Sequence, residues 1–234
     1  MEGKGSVMVN SYEEFCNEIH RCGFSMGGGN AKGIYAVIPY DWKSTPSGCN
    51  IVWHTGNPET DPWEWRMRVL EEQKDIAYAK VFFNASGYIA KGWYPYFLAV
   101  RRQGMTLTDW YEIGKVSYFE KQIYDVIAEN KKIAFHDIKN ECGITKETNS
   151  QFEKALVNLQ KNLFITMCGR MPKLNKYGEP YGWNSTVFCT VEDFWGEDLT
   201  ADCSYEEAYE KIHDRILELN PEAQEKVIKK FILG

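Results

Sequence analysis

Residues 117–195 carry three helical patterns in succession, each with its own start signal, followed by two apolar runs that flank a polar stretch. Ser117 with Glu120 three positions later has capping-box spacing, and Phe119, Ile123, Val126 and Ile127 follow at helical intervals. Phe135, Ile138 and Cys142 make a shorter second helix, stopped by Gly143. Thr148 with Gln151 opens a third, with Phe152, Leu156 and Leu159 on its inner face. Residues 163–168 and 181–190 then read as strands, and 169–180 between them is too polar for a core. Three helices and a wide hairpin in that order predict a winged-helix module over residues 111–196.

Charge supports a role for that module. The chain carries a formal net charge of −6, yet residues 145–178 hold Lys146, Lys154, Lys161, Arg170, Lys173 and Lys176 against Glu147 and Glu153. A local surplus of cations on one helix and its hairpin is what a phosphate backbone attracts. The expected contacts are Asn149, Lys154, Asn158 and Lys161 on the third helix, reaching base edges or phosphates, and Arg170, Lys173 and Lys176 on the wing. The expected partner is double-stranded DNA. The alternative is a solvated basic face on a module used for protein contacts, since fold does not determine function.

The flanking chain predicts two further regions. Residues 1–110 hold six of the eight Trp (42, 53, 63, 65, 93 and 110) and read as an aromatic-rich α+β region. Ser11 with Glu14 opens a helix that Gly23 closes; 51–54 looks like a strand; Asp61-Pro62 starts a second helix. Residues 76–83 read as a strand, 84–87 as a turn, 93–100 as a helix and 106–115 as a linker. Residues 197–234 form an acidic helical tail, with Ser204 and Glu207 capping one helix and Asn220-Pro221 starting another. The fold class is therefore α+β, a winged-helix module packed with the aromatic-rich region and the tail. Seven cysteines with no Cys-x-x-Cys pair, no apolar leader and no run of about 18 apolar residues predict a cytoplasmic protein with reduced thiols and no membrane partner.

The densest chemistry lies at residues 53–66. Trp53, His54, Trp63, Trp65 and Arg66 could line an aromatic pocket for a small molecule or a flipped base, with Asp61 or Glu64 as a general base among them. The competing reading is structural: Asp61 as a helix cap, Arg66 paired to a carboxylate, and the indoles as core. The four His are far apart, and no His or Cys pair has zinc spacing, so neither a metal nor another cofactor is expected.

The string Trp-His-Thr-Gly-Asn-Pro-Glu-Thr-Asp-Pro-Trp-Glu-Trp-Arg at 53–66 resembles a family of bacterial proteins described as AlkZ-related. The resemblance continues through 76–83, Gly87-Tyr-Ile, Trp93-Tyr-Pro-Tyr-Phe, Arg101-Arg102, 177–183 and Phe194-Trp-Gly. It implies kinship with winged-helix DNA glycosylases that excise alkylated or crosslinked purines. Those enzymes carry a Gln-apolar-Gln or Gln-apolar-Asp motif. Here Gln73-Lys74-Asp75 has the outer residues but a charged centre, so no catalytic residue carries over. The resemblance implies DNA association, with base excision as the alternative activity and a ligand-responsive regulator or scaffold as the others.

Overall fold

The computed structural model describes residues 8–197 and 199–234. The chain is α+β, with one six-stranded antiparallel sheet and helices on both faces. Ser11 accepts from the Glu14 amide and starts α1 (Tyr12–Cys22), which Gly23 ends at φ 90°. A Cβ at Gly23 would lie 2.2 Å from the Trp93 indole nitrogen, so both backbone and packing exclude other residues. β1 (Phe24–Met26) is followed by irregular chain up to α2 (Pro62–Glu72). Residues 51–54 are not a strand: the Val52 amide donates back to the Thr60 carbonyl at 2.9 Å, inside its own loop.

β2 (Ile76–Phe82) and β3 (Ala85–Ala90) form a hairpin tighter than the sequence suggests. Its turn is Phe83 and Asn84, at φ 52° and 57°, a pairing of positive angles that matches the strand twist. α3 (Tyr94–Arg102) follows, and the expected linker contains α4 (Leu107–Glu112), opened by a capping box between Thr106 and Asp109. Then come α5 (Tyr118–Asn130), β4 (Ile133–Ala134), α6 (Phe135–Glu141), α7 (Asn149–Lys161), β5 (Ile165–Met171) and β6 (Ser185–Thr190). The predicted cap between Thr148 and Gln151 does not form, because the Thr148 hydroxyl accepts from the Thr145 amide at 3.0 Å instead. α8 (Val191–Trp195), α9 (Tyr205–Leu219) and α10 (Glu225–Leu233) complete the chain. α10 starts later than Asn220-Pro221, since the Asn220 amide side chain donates to the Gly33 carbonyl at 3.1 Å. No helix among the described residues is long and apolar enough to cross a membrane.

The strand order is β1-β3-β2-β5-β6-β4. The two-residue β4 pairs with β6, Ile133 opposite Phe188, and β5 joins β2 where Tyr78 faces Met167. Alternation along β2 and β3 divides the apolar side chains between two cores. Tyr88 packs edge-on against Phe15, which tilts onto Trp65. On the other face Ala77, Ala79 and Ile89 meet Phe24, Phe97 and Phe231, with the Phe231 ring stacked 3.8 Å from that of Phe82. Arg101 is buried between these layers with no carboxylate partner among the described residues. Its guanidinium donates to the carbonyls of Ile232 (2.9 Å), Val81 (2.8 Å), Lys161 (2.6 Å) and Phe231 (2.8 Å), tying α10, β2 and α7 together. Burial draws its pKa down to about 9.

Candidate nucleic-acid interface

α7 buries Phe152, Ala155, Leu156 and Leu159 and leaves Ser150, Gln151, Glu153 and Lys154 exposed. β5 and β6 rise beside it and open into residues 172–184, where a short bridge between Leu174 and Pro180 frames a turn at 175–178. Between α7 and this hairpin lies a cavity of about 410 Å³. Lys80 of β2, Glu153 and Gln160 of α7, Lys173 and Asn184 reach into it, and Phe135 and Phe188 form part of its apolar wall.

The predicted contacts separate into two groups. Lys154 and Lys176 are exposed and Lys173 is half-exposed, and none of the three forms an ion pair among the described residues. The Lys176 ammonium sits 4.9 Å from the Tyr177 ring centre. Of the other four, Asn149, Asn158 and Arg170 are hydrogen-bonded within the protein through their side chains, and Lys161 forms no ion pair among the described residues. Asn149 accepts from Lys139 and donates to Glu153 at 3.0 Å. Asn158 donates to Glu120 at 3.1 Å. Lys161 is half-buried, against the C-terminal residue Gly234. Arg170 donates to Glu64 at 2.7 Å and to Glu71 at 3.1 Å, both on α2, and the Glu64 hydrogen bond holds its guanidinium more firmly protonated than usual.

Two features of this face were not among the DNA contacts expected from the sequence. Lys80 enters the cavity from the N-terminal sheet, its amide accepted by the Gln160 side chain at 3.0 Å. It is the one charged residue in the apolar run 76–83, a signal that was there to be read. The hairpin also exposes Met171, Leu174, Tyr177, Tyr181 and Trp183, the last at 88%. These aromatics stand outside both apolar cores.

Residues 53–66 are organised differently. Asp61 is fully buried, and both its oxygens are occupied: one accepts from the amides of Thr55 (2.8 Å) and Gly56 (3.0 Å), the other from Trp63 (2.9 Å). The loop therefore closes around its own carboxylate, which also caps α2. Trp65 is fully buried, and its N–H donates to the Pro58 carbonyl at 2.9 Å. Trp63 is exposed, with the Arg66 guanidinium 3.6 Å over its ring and the His54 ring 5.4 Å away. Trp53 is half-buried, its indole N–H without a partner among the described residues. Glu64 holds Arg170, as above. Gln73 caps the end of α2, and Asp75 pairs with His20 at 3.1 Å.

A larger cleft of about 760 Å³ lies away from the hairpin, between α3, α4 and the segment before α9. Tyr124 and Phe164 line it, as do Arg102 and Glu192, which pair at 2.5 Å. It contains none of the candidate catalytic, pocket or DNA-contact residues read from the sequence. Among the described residues no group of three or more His, Cys, Asp or Glu is gathered for a metal ion.

No curated protein and no solved structure matches the chain. The family described as AlkZ related matches residues 9–233, nearly the whole length, and the chain belongs to that family.

Proposed function

We propose that this is a DNA-associated protein working in DNA repair, and that residues 117–195 act as a winged helix gripping the duplex with α7 and the 172–184 wing. The order helix, strand, helix, helix, strand, wing, strand supports the winged-helix reading, as does the placing of β6 between β4 and β5. Membership of the AlkZ-related family supports the repair context. The observation that carries the proposal is the open side of the hairpin. Lys154, Lys173 and Lys176 have no carboxylate partner among the described residues, Lys80 of β2 lines the same cavity as Lys173, and Tyr177, Tyr181 and Trp183 of the hairpin stand exposed. Cations without internal partners can replace the counterions of a phosphate backbone, and protruding aromatics can stack on or wedge between bases. Seven partners were expected from the sequence; Arg170 and Asn158 have internal carboxylates and serve the fold first.

The base-excision reading has less behind it, because both Asp61 oxygens are held by backbone amides and Glu64 is held by Arg170. The test is binding of a labelled duplex between about 50 and 200 mM salt, where contacts to several phosphates give a steep loss of affinity. Lys173→Glu with Lys176→Glu removes most of that affinity if the wing is the interface. Unchanged binding in the folded double variant overturns the proposal.

A further inference from the structure

The cavity of about 410 Å³ between α7 and the hairpin has two unlike sets of lining residues. Leu156, Val157 and Met167 extend the apolar set that Phe135 and Phe188 begin. Phe135 and Val157 keep part of their surface exposed, and the other three are buried. The polar set has spare capacity. Lys80 and Lys173 form no ion pair among the described residues, and neither does Glu153, which accepts from the Asn149 side chain at 3.0 Å. Asn184 and Thr186 add an amide and a hydroxyl. Gln160 differs: it is 1% exposed, accepts from the Lys80 amide and donates to the Leu156 carbonyl, each at 3.0 Å, and so fixes β2 against α7.

That mixture narrows the ligand. Bare phosphate matches the two ammoniums but meets the Glu153 carboxylate and leaves the apolar lining unused. A hydrocarbon covers the apolar lining but strips water from two ammoniums and a carboxylate with nothing in return. A nucleotide has all the matching parts: a flat base with apolar faces, an edge carrying donors and acceptors, and a phosphate. In a perfect duplex, stacking and pairing already occupy the base, so only an unpaired nucleotide has it free. The volume also lies within the range of about 300–1,000 Å³ typical of small-ligand sites. The other cavities lack the combination. In the larger cleft Arg102 and Glu192 are paired with each other. In one of about 350 Å³ beside the start of α7, Ile144 is the one apolar residue among the described lining.

We propose that this cavity is a binding site for one unpaired nucleotide of the strand that α7 and the wing hold. Its base lies against Phe135 and Val157, the edge of the base meets Glu153 and Asn184, and Lys80 and Lys173 balance its phosphate. The inference rests on the DNA-binding reading and names its preferred substrate, a duplex interrupted by an unpaired nucleotide rather than a perfect one. Lys80 belongs to β2, outside residues 117–195, so the N-terminal sheet contributes to the site. Binding alone is involved, and no bond is made or broken.

The test measures binding of the full chain to two labelled duplexes, one perfect and one identical but for a single extra, unpaired 5-iododeoxyuridine. The interrupted duplex should bind at least about fivefold more tightly, the gain expected from stacking one base. Ultraviolet crosslinking of that complex, mapped by mass spectrometry, should mark the peptide containing Phe135. Val157→Phe fills the cavity from α7 and should abolish both the preference and the crosslink, with affinity for the perfect duplex and its salt dependence kept. Equal affinity of the wild type for the two duplexes overturns the inference and leaves the DNA-binding reading standing. A wild-type crosslink to Tyr177, Tyr181 or Trp183 instead of Phe135 also overturns it, whether or not the variant folds, and assigns the unpaired nucleotide to the wing surface. Failure to bind either duplex overturns the DNA-binding reading itself, and the inference with it.

Discussion

Residues 53–66 and residues 170–184 are both crowded with aromatic and charged side chains, but in the first most of them are held by partners within the protein, and in the second most project outward. In the first segment Asp61 gathers three backbone amides, Trp65 donates to Pro58, and Arg66 covers Trp63. In the second, Tyr177, Tyr181 and Trp183 project from the sheet with Lys176 against Tyr177. Arg170 sits at the join and belongs with the first, since its partners are Glu64 and Glu71. Chemical richness in a stretch of sequence therefore has two sources. One is a loop with no strand or helix to satisfy its amides, which needs a buried carboxylate to do so. The other is a surface whose side chains find few partners within the protein, the one the proposed interface would use.

Four tests by substitution would break or sharpen that contrast. Asp61→Ala should cost most, on the order of 3 kcal/mol by urea unfolding, because it removes a helix cap and strands three amides. Asp61→Asn keeps an acceptor and should lose less. If it folds normally yet stops release of a modified base from alkylated duplex, the first segment is catalytic and the contrast collapses. Second, Lys173→Glu with Lys176→Glu should lower duplex affinity by about tenfold or more and flatten its salt dependence, with stability changed by under about 0.5 kcal/mol. Third, Trp183→Ala should weaken binding to a duplex with an unpaired bubble by about 1 kcal/mol, more than it weakens binding to a perfect duplex, since stacking needs an accessible base face. An equal effect on both substrates would make Trp183 a plain contact. Last, Arg170→Ala should change stability by under about 1 kcal/mol, as half-exposed ion pairs do, and leave duplex binding close to wild type. A loss of binding as large as that of the lysine pair would move Arg170 to the outward group.

The elements with local signals were legible. Ser11, Asp61, Ser117 and Ser204 each cap the helix the sequence assigns to them. α4 had the same signal in Thr106 and Asp109, but its apolar residues are too few to set a helical period. β4 had none: two residues become a strand only because β6 lies beside them. The false strand at 51–54 has the right composition, yet its amide finds a partner eight residues on. Within the candidate interface, Lys154, Lys173 and Lys176 were proposed from charge alone, and the structure leaves them exposed or half-exposed. Which cations would be neutralised was not visible, because Arg170 meets its carboxylates 106 and 99 residues away. Likewise nothing local places Lys80 beside Lys173.

The meeting of β2 and β5 at Tyr78 and Met167 has a practical corollary. The hairpin that carries the wing is a continuation of the N-terminal sheet, and Gln160 and Arg101 add bonds across the same seam. A fragment cut before residue 111 would bare one side of β5, a row of unsatisfied amides and carbonyls on which a second molecule could add a strand. Such a truncation should self-associate on size-exclusion chromatography, and pull-downs made with it would report that stickiness rather than the grip of the intact protein.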